Sequence, residues 1–333
     1  MSTSEAGGSV RIAPEPYAHV DAEEVRRLTE EINVLRKEKG AIILAHNYQL
    51  PEVQEIADFS GDSLGLSLKA QTCEQDLIIF CGVHFMAESA KILNPAKTVL
   101  LPSLAAGCSL SDSITYDSMM EWKDRYPDHT VVTYVNSSAE VKALSDICCT
   151  SANAASVVRS LENDKILFTP DRNLGAWVQK QVPEKEIVIY DGACPTHDVL
   201  RGVNISADDR GDPGTIIIAH PECREDVLEL ADEVCSTTGM FDAVRRHPDA
   251  KTFIIATEWA HVHKMKQTFP DKEFVVADGC IGCRLHCPYM KMVDLRALRR
   301  SLAEGVFEIT VDEEDMEGAR RSLERMMAVP RDT

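Results

Sequence analysis

The sequence predicts an α/β protein made of three pseudo-threefold-related parallel-sheet domains around a central site, and two observations carry that expectation. Short β-branched runs alternate with segments of helical periodicity, and the runs recur at an interval of 85 to 89 residues. In the first copy the runs start at Ile42, Leu77 and Thr98, in the second at Val131, Ile166 and Ile187, and in the third at Ile216, Phe253 and Phe274. Each is too short for a helix and most are bounded by Gly, Pro or polar residues, so they read as nine buried strands. Helical spacing falls between them over 139–144, 154–161 and 224–234, as βαβ units require. Met316 to Met327 reads as a closing amphipathic helix. The expected units are 21–107, 108–193 and 194–287, with 288–333 packing on the first, and no Pro/Gly-rich linker separates them.

Composition narrows the function. A formal charge of −19 gives a surface that repels nucleic acid and anionic membranes, so neither is an expected partner. No apolar run is long enough to span a bilayer and the N-terminus lacks a secretory core, so the expected compartment is the cytoplasm. In that compartment eleven cysteines point to metal or redox chemistry rather than to a disulfide framework. An anionic ligand would have to find its positive potential locally, at helix N-termini, histidines or a metal.

Ligands of parallel α/β units gather at the carboxyl ends of strands. The first strand of each copy leads there to His46-Asn47-Tyr48, to Tyr134-Val135-Asn136 and to His220-Pro221-Glu222, which supply imidazole, phenol and carboxylate for proton transfer. The alternative is that these are strand-end caps. Further on, Asp62-Ser63, Thr150-Ser151 and Ser236-Thr237-Thr238 precede expected helices, where hydroxyls cap orphan amides and the helix end attracts carboxylate or phosphate.

The third strand of each copy leads to cysteine: Cys108, Cys194, and the group Cys280, Cys283 and Cys287. Spacing alone favours Cys280 as the third member, since 108 to 194 and 194 to 280 are both 86 residues. One thiolate per copy suits a [4Fe-4S] cluster with three protein ligands, whose open iron acts as a Lewis acid. The C-x2-C-x3-C stretch resembles half a zinc ribbon, but no partner pair lies at ribbon spacing. The S-adenosylmethionine radical enzymes carry C-x3-C-x2-C, the reverse order. Cys73, Cys81, Cys148, Cys149, Cys223 and Cys235 read as small buried apolar residues. The spacing of Cys280 and Cys283 permits a redox-active pair.

The chain resembles the quinolinate synthases in A-H-N-Y-Q (45–49), I-A-D-F-S-G-D-S-L (56–64), M-A-E-S-A-K-I-L-N-P (86–95), Y-V-N-S (134–137), T-S-A-N-A (150–154), P-D-R-N-L (170–174), A-H-P-E-C (219–223), S-T-T-G-M (236–240) and C-P-Y-M-K-M (287–292). The resemblance implies condensation of iminoaspartate with dihydroxyacetone phosphate to quinolinate, phosphate and water on the route to NAD. It implies L-aspartate oxidase or aspartate dehydrogenase as the iminoaspartate supplier. It places the cluster on Cys108, Cys194 and Cys287, against the spacing that favours Cys280. It implies Glu222, His220, Tyr48 and Tyr134 as catalytic groups, with His46, Ser63, Asn136, Ser151, Ser236 and Thr237 holding substrate. Where the family pattern reads S-T-G-G-M this chain has S-T-T-G-M, which leaves Thr237 and Thr238 both open. The remaining alternatives are a cluster-dependent dehydratase of another small hydroxy acid, and an iron–sulfur sensor or carrier that would need no proton-transfer groups.

Overall fold

The first sheet is built from β1 (Ala41–His46), β2 (Phe59–Gly61), β3 (Leu77–Cys81) and β4 (Thr98–Leu100), ordered β2-β1-β3-β4 and parallel throughout. The second holds β5 (Thr130–Tyr134), β6 (Ile147–Cys149), β7 (Lys165–Thr169) and β8 (Glu186–Ile189), ordered β6-β5-β7-β8. The third holds β9 (Ile216–Ala219), β10 (Glu233–Val234), β11 (Thr252–Ala256) and β12 (Glu273–Val276), ordered β10-β9-β11-β12. A short antiparallel pair, β13 (Asp278–Cys280) and β14 (Cys283–Arg284), follows. This computed structural model describes residues 21–205, 214–280 and 283–332, and the Cys280 and Cys283 side chains lie outside that description.

One strand order in three sheets is the expected triplicated α/β architecture. The central strands are mostly apolar and buried, as in parallel sheets covered on both faces: Ile42, Ile43, Leu44 and Ala45 of β1 are all buried. Each copy has four strands where the sequence suggested three. The added strands β2, β6 and β10 are two or three residues long, below the length at which a run stands out. An aspartate registers each of them. Asp58 and Ile43, Asp146 and Val131, and Asp232 and Ile217 make the same pair of contacts, with the carboxylate accepting the strand amide at 2.8 Å in every copy and the aspartate amide donating back to the strand carbonyl. That device also corrects the helix expected over 224–234: only Glu225–Leu228 is helical, because Asp232 pulls the chain into β10 alongside β9.

Helix Leu295–Glu304 packs on helix Ala22–Glu38 and is tied to it by Arg296–Glu24 and Arg299–Glu31 at 2.6 and 3.0 Å. The expected closing helix runs Glu313–Met327 and buries Ala319, Leu323 and Met326 against helix Ala139–Ala143 and β6. Gly318 permits that approach, since a Cβ there would sit 2.6 Å from the Ala143 carbonyl oxygen. Among the described residues no helix is long and apolar enough to cross a membrane.

Candidate active site and metal centre

The carboxyl ends of β1, β5 and β9 converge on one cavity. His46 and Tyr48 reach it from the first copy, Tyr134 and Asn136 from the second, and His220 and Glu222 from the third. Ser63, Ser151, Thr237 and the three thiols of Cys108, Cys194 and Cys287 complete the set that the sequence proposed, with Ser236 the one member that does not line the cavity.

Ser236 is instead the N-cap of helix Thr237–Arg246, accepting from the Gly239 amide and donating to Asp62 at 3.4 Å. Asp62 plays the matching part for helix Ser63–Thr72, accepting from the Gly65 amide at 2.8 Å. The hydroxyls that face the cavity, Ser63 and Thr237, are therefore the first helical residues rather than the caps expected from sequence. Because a neighbour satisfies the helix end, their oxygens stay available to a ligand. Thr237, not Thr238, takes the lining position, and it accepts from Asn47 Nδ2 at 2.9 Å.

Glu222 is the electrostatic centre of the cavity. Its Oε2 lies 2.8 Å from His197 Nδ1 and 3.4 Å from His220 Nδ1, with the two imidazoles stacked at 4.9 Å. Asn136 donates to Oε1 at 3.4 Å. Burial pushes this carboxyl up, but the flanking imidazoles outweigh burial and hold it well below the usual carboxylate range. Glu222 is thus an ionised, fully buried carboxylate, and it caps no helix, since the next helix starts after Arg224.

Burial lowers His46 to about 4, and it lowers His220 against the pull of Glu222, so His46 is neutral near pH 7. His46 is therefore a neutral donor there, without the positive charge that a protonated imidazole would bring. Its Nδ1 accepts the Tyr48 amide at 3.1 Å, which leaves the proton on Nε2. Burial raises the Tyr48 and Tyr134 hydroxyls, and Glu222 raises them further, so both remain protonated donors.

His197 is the member that the sequence reading missed. Its ring bridges Glu222, Cys194 Sγ at 3.3 Å and Thr257 Oγ1 at 2.9 Å, and the Tyr48 hydroxyl meets the same threonine at 2.5 Å. The available signal was the i, i+3 spacing of Cys194 and His197, which places both on one turn of the Pro195–Asp198 helix.

The thiol group fits an iron–sulfur cluster. The three cysteines follow the last strands of the three parallel sheets, are partly exposed onto the cavity, and lie close enough that Cys108 and Cys287 add to burial in raising the Cys194 thiol. Backbone amides aim at sulfur: Leu110 and Ser111 at Cys108, Tyr289 and Met290 at Cys287. Burial overrides these amides and pushes the Cys108 thiol up to about 12, so the free thiols sit protonated beneath donors that only a charged sulfur uses well. A metal centre resolves that conflict. Cys194, His197 and Glu222 also form a group able to coordinate a metal ion.

The supports of two of these thiols escaped the sequence reading. Asp171 accepts the Cys194 amide at 3.1 Å and caps the following helix through Leu174. Glu258 accepts the Cys287 amide at 3.3 Å and pairs with Lys291 at 2.9 Å, both fully buried. Single acidic or basic residues in mixed sequence carry no periodic signal.

A family model, NadA, quinolinate synthetase A protein, matches residues 30–328. The quinolinate synthase of Geobacter metallireducens is 50% identical over 305 residues, covering 92% of this chain and 98% of the relative. Those of Thermodesulfovibrio yellowstonii and Clostridium perfringens are 47% and 44% identical, covering 92% and 90% of this chain and 99% and 98% of the relatives. The chain belongs to the quinolinate synthase family, and its activity is quinolinate synthesis by condensation and dehydration at a [4Fe-4S] centre.

Proposed function

We propose that the substrates are iminoaspartate and dihydroxyacetone phosphate, and that Cys108, Cys194 and Cys287 hold the cluster, leaving one iron open. Atom balance gives one quinolinate, one inorganic phosphate and two waters per turnover. The observation that carries this reading is the meeting in one cavity, whose described lining has no lysine or arginine, of three thiols, a buried carboxylate between imidazoles, two hydroxyls at helix starts and the Ser151 hydroxyl beside His220. Ser63, Ser151 and Thr237 bind the substrate carboxylates and phosphate with help from the neighbouring amides. Glu222 takes the proton from the condensing carbon, and His197 and His220 stabilise it in the charged form and pass that proton on. Tyr48, Tyr134 and neutral His46 donate to oxygen atoms of the substrates, and Asn136 orients Glu222. When bound, the cluster supplies a Lewis acid for loss of substrate hydroxyl as water.

We assign 21–107, 108–193 and 194–287 as the three units, the cytoplasm as the compartment, and L-aspartate oxidase or aspartate dehydrogenase as the supplier of iminoaspartate. The test is anaerobic turnover of the cluster-loaded protein with dihydroxyacetone phosphate and iminoaspartate generated in situ, with quinolinate and phosphate measured together. Equal yields support the reading. Phosphate release without pyridine formation, or turnover of a simple hydroxy acid in its place, refutes it.

A further inference from the structure

Beyond the last helix the chain returns to the cavity wall. The Arg331 guanidinium grips the Asp62 carboxylate with both nitrogens, Nη1 to Oδ2 at 2.5 Å and Nη2 to Oδ1 at 2.9 Å. Asp62 is 4% exposed, lines the cavity, caps the helix that begins at Ser63, and accepts from Ser236 of the third copy. The adjacent Asp332 accepts from the Ala155 and Ser156 amides at 3.2 and 2.7 Å, and its own amide donates to the Ala152 carbonyl, one residue after Ser151. Two consecutive residues therefore fasten the segments that carry two of the three cavity hydroxyls. They lie past residue 328, where the family model's match ends.

The charges explain why such a contact matters. Among the described residues the cavity lining holds no lysine or arginine, and it already contains the ionised Glu222. Asp62 is a second carboxylate beside Ser63, and left unpaired it would repel any anion bound at that helix start. Arg331 is the cation that cancels it. Because the guanidinium approaches from outside the lining, it offsets the charge without competing for the ligand.

We propose that Arg331 is a positioning residue of the anion-binding end of the cavity, holding Asp62 as a paired helix cap so that the Ser63 end accepts a carboxylate or phosphate. This rests on the reading of Ser63, Ser151 and Thr237 as anion-binding groups. Arg331→Ala in the cluster-loaded protein should raise KM for dihydroxyacetone phosphate or for iminoaspartate, and Kd for quinolinate, by about tenfold or more, with kcat changed by less than about threefold. Iron content should be unchanged. Arg331→Lys should recover part of the loss, and Arg331→Ala/Asp62→Asn should recover most of it, because the harm lies in the unpaired charge. Asp332→Ala, which loosens the Ser151 segment and leaves the ion pair intact, should gain nothing when Asp62→Asn is added, because it strands no charge.

A parent-like KM and quinolinate Kd in Arg331→Ala overturns the proposal. So does a loss of kcat and thermal stability shared equally by Arg331→Ala and Asp332→Ala and not repaired by Asp62→Asn, which would make the segment a plain clamp. Failure of the underlying substrate reading would appear in the parent enzyme, before any variant is compared.

Discussion

Replacing Lys291 by Met tests how the loop that carries Cys287 is held. Lys291 Nζ pairs with Glu258 Oε1 at 2.9 Å, donates to the Tyr48 carbonyl, and lies 4.9 Å from the centre of the Trp259 ring. Glu258 in turn accepts the Ala260 and Cys287 amides at 2.9 and 3.3 Å, so one buried carboxylate links the ammonium to the amide of a cysteine that lines the cavity. Both side chains are fully buried. Breaking such a pair by removing one partner costs roughly 3–5 kcal/mol, because the remaining charge has lost its compensation. Burial already raises the Glu258 carboxyl, and without Lys291 it protonates more readily, which places the expected loss near the lower end, about 3 kcal/mol. Adding Glu258→Gln removes the stranded charge, so the double variant should be more stable than Lys291→Met alone by about 1 kcal/mol or more. The assay is urea denaturation of the anaerobic protein, with iron bound per chain measured in parallel. A Lys291→Met variant within about 0.5 kcal/mol of the parent and with full iron content would refute the account.

Other outcomes follow from the same geometry. Cys108→Ser, Cys194→Ser and Cys287→Ser should each abolish the cluster absorbance and activity while Cys73→Ser keeps both, and a cluster persisting in Cys287→Ser would assign the third ligand elsewhere. Glu222→Gln should retain iron but lower kcat by about 10²-fold or more, and near-normal turnover would remove Glu222 from proton transfer. Burial holds His46 to about 4 and His261 to about 3, so the unfolded chain binds protons near pH 6.5 that the folded chain refuses. Stability should therefore fall as pH drops from about 6.5 toward 4, by roughly 1.4 kcal/mol per unit for each group. His261→Phe should flatten that slope in urea melts, and an unchanged slope would show that other groups govern acid unfolding.

The strands that carry the fold were legible because β-branched runs buried on both faces interrupt the polar pattern, and because three copies repeat the interruption. The edge strands were not, since two residues such as Glu233 and Val234 leave no run. Yet the triplet Asp58, Asp146 and Asp232 repeats at 88 and 86 residues and would have marked them. At the site, residues next to strand ends could be found from sequence because topology delivers strand ends to one place. His197 left only its i, i+3 spacing from Cys194, and Thr257 and Glu258 left no signal, since all three join the site through contacts with Cys194, Tyr48 and Cys287 that only the folded chain creates. Capping shows the same limit. Sequence identifies hydroxyls near a helix start, but only the structure shows that Asp62 and Ser236 take the capping work and leave Ser63 and Thr237 facing the cavity.

With the proposed substrates, the acidity of the chain sets the remaining problem, because a protein of net charge −19 must draw an anion into a cavity with ionised Glu222 at its centre. Lysine or arginine in the lining would solve it at the cost of chemistry, since a cation near Glu222 would stabilise the carboxylate further and weaken it as a base. The structure uses sources of positive potential that stay where they are: amides at two helix starts, and imidazoles that lend donors to Glu222. Among the described residues the full cations sit outside the lining, where Arg331 cancels Asp62 and Lys291 cancels Glu258. Each cation removes a neighbouring negative charge instead of adding a positive one to the cavity. On the proposed reading, binding strength and base strength are set by separate residues, so a variant of Arg331 should move KM while a variant of Glu222 moves kcat.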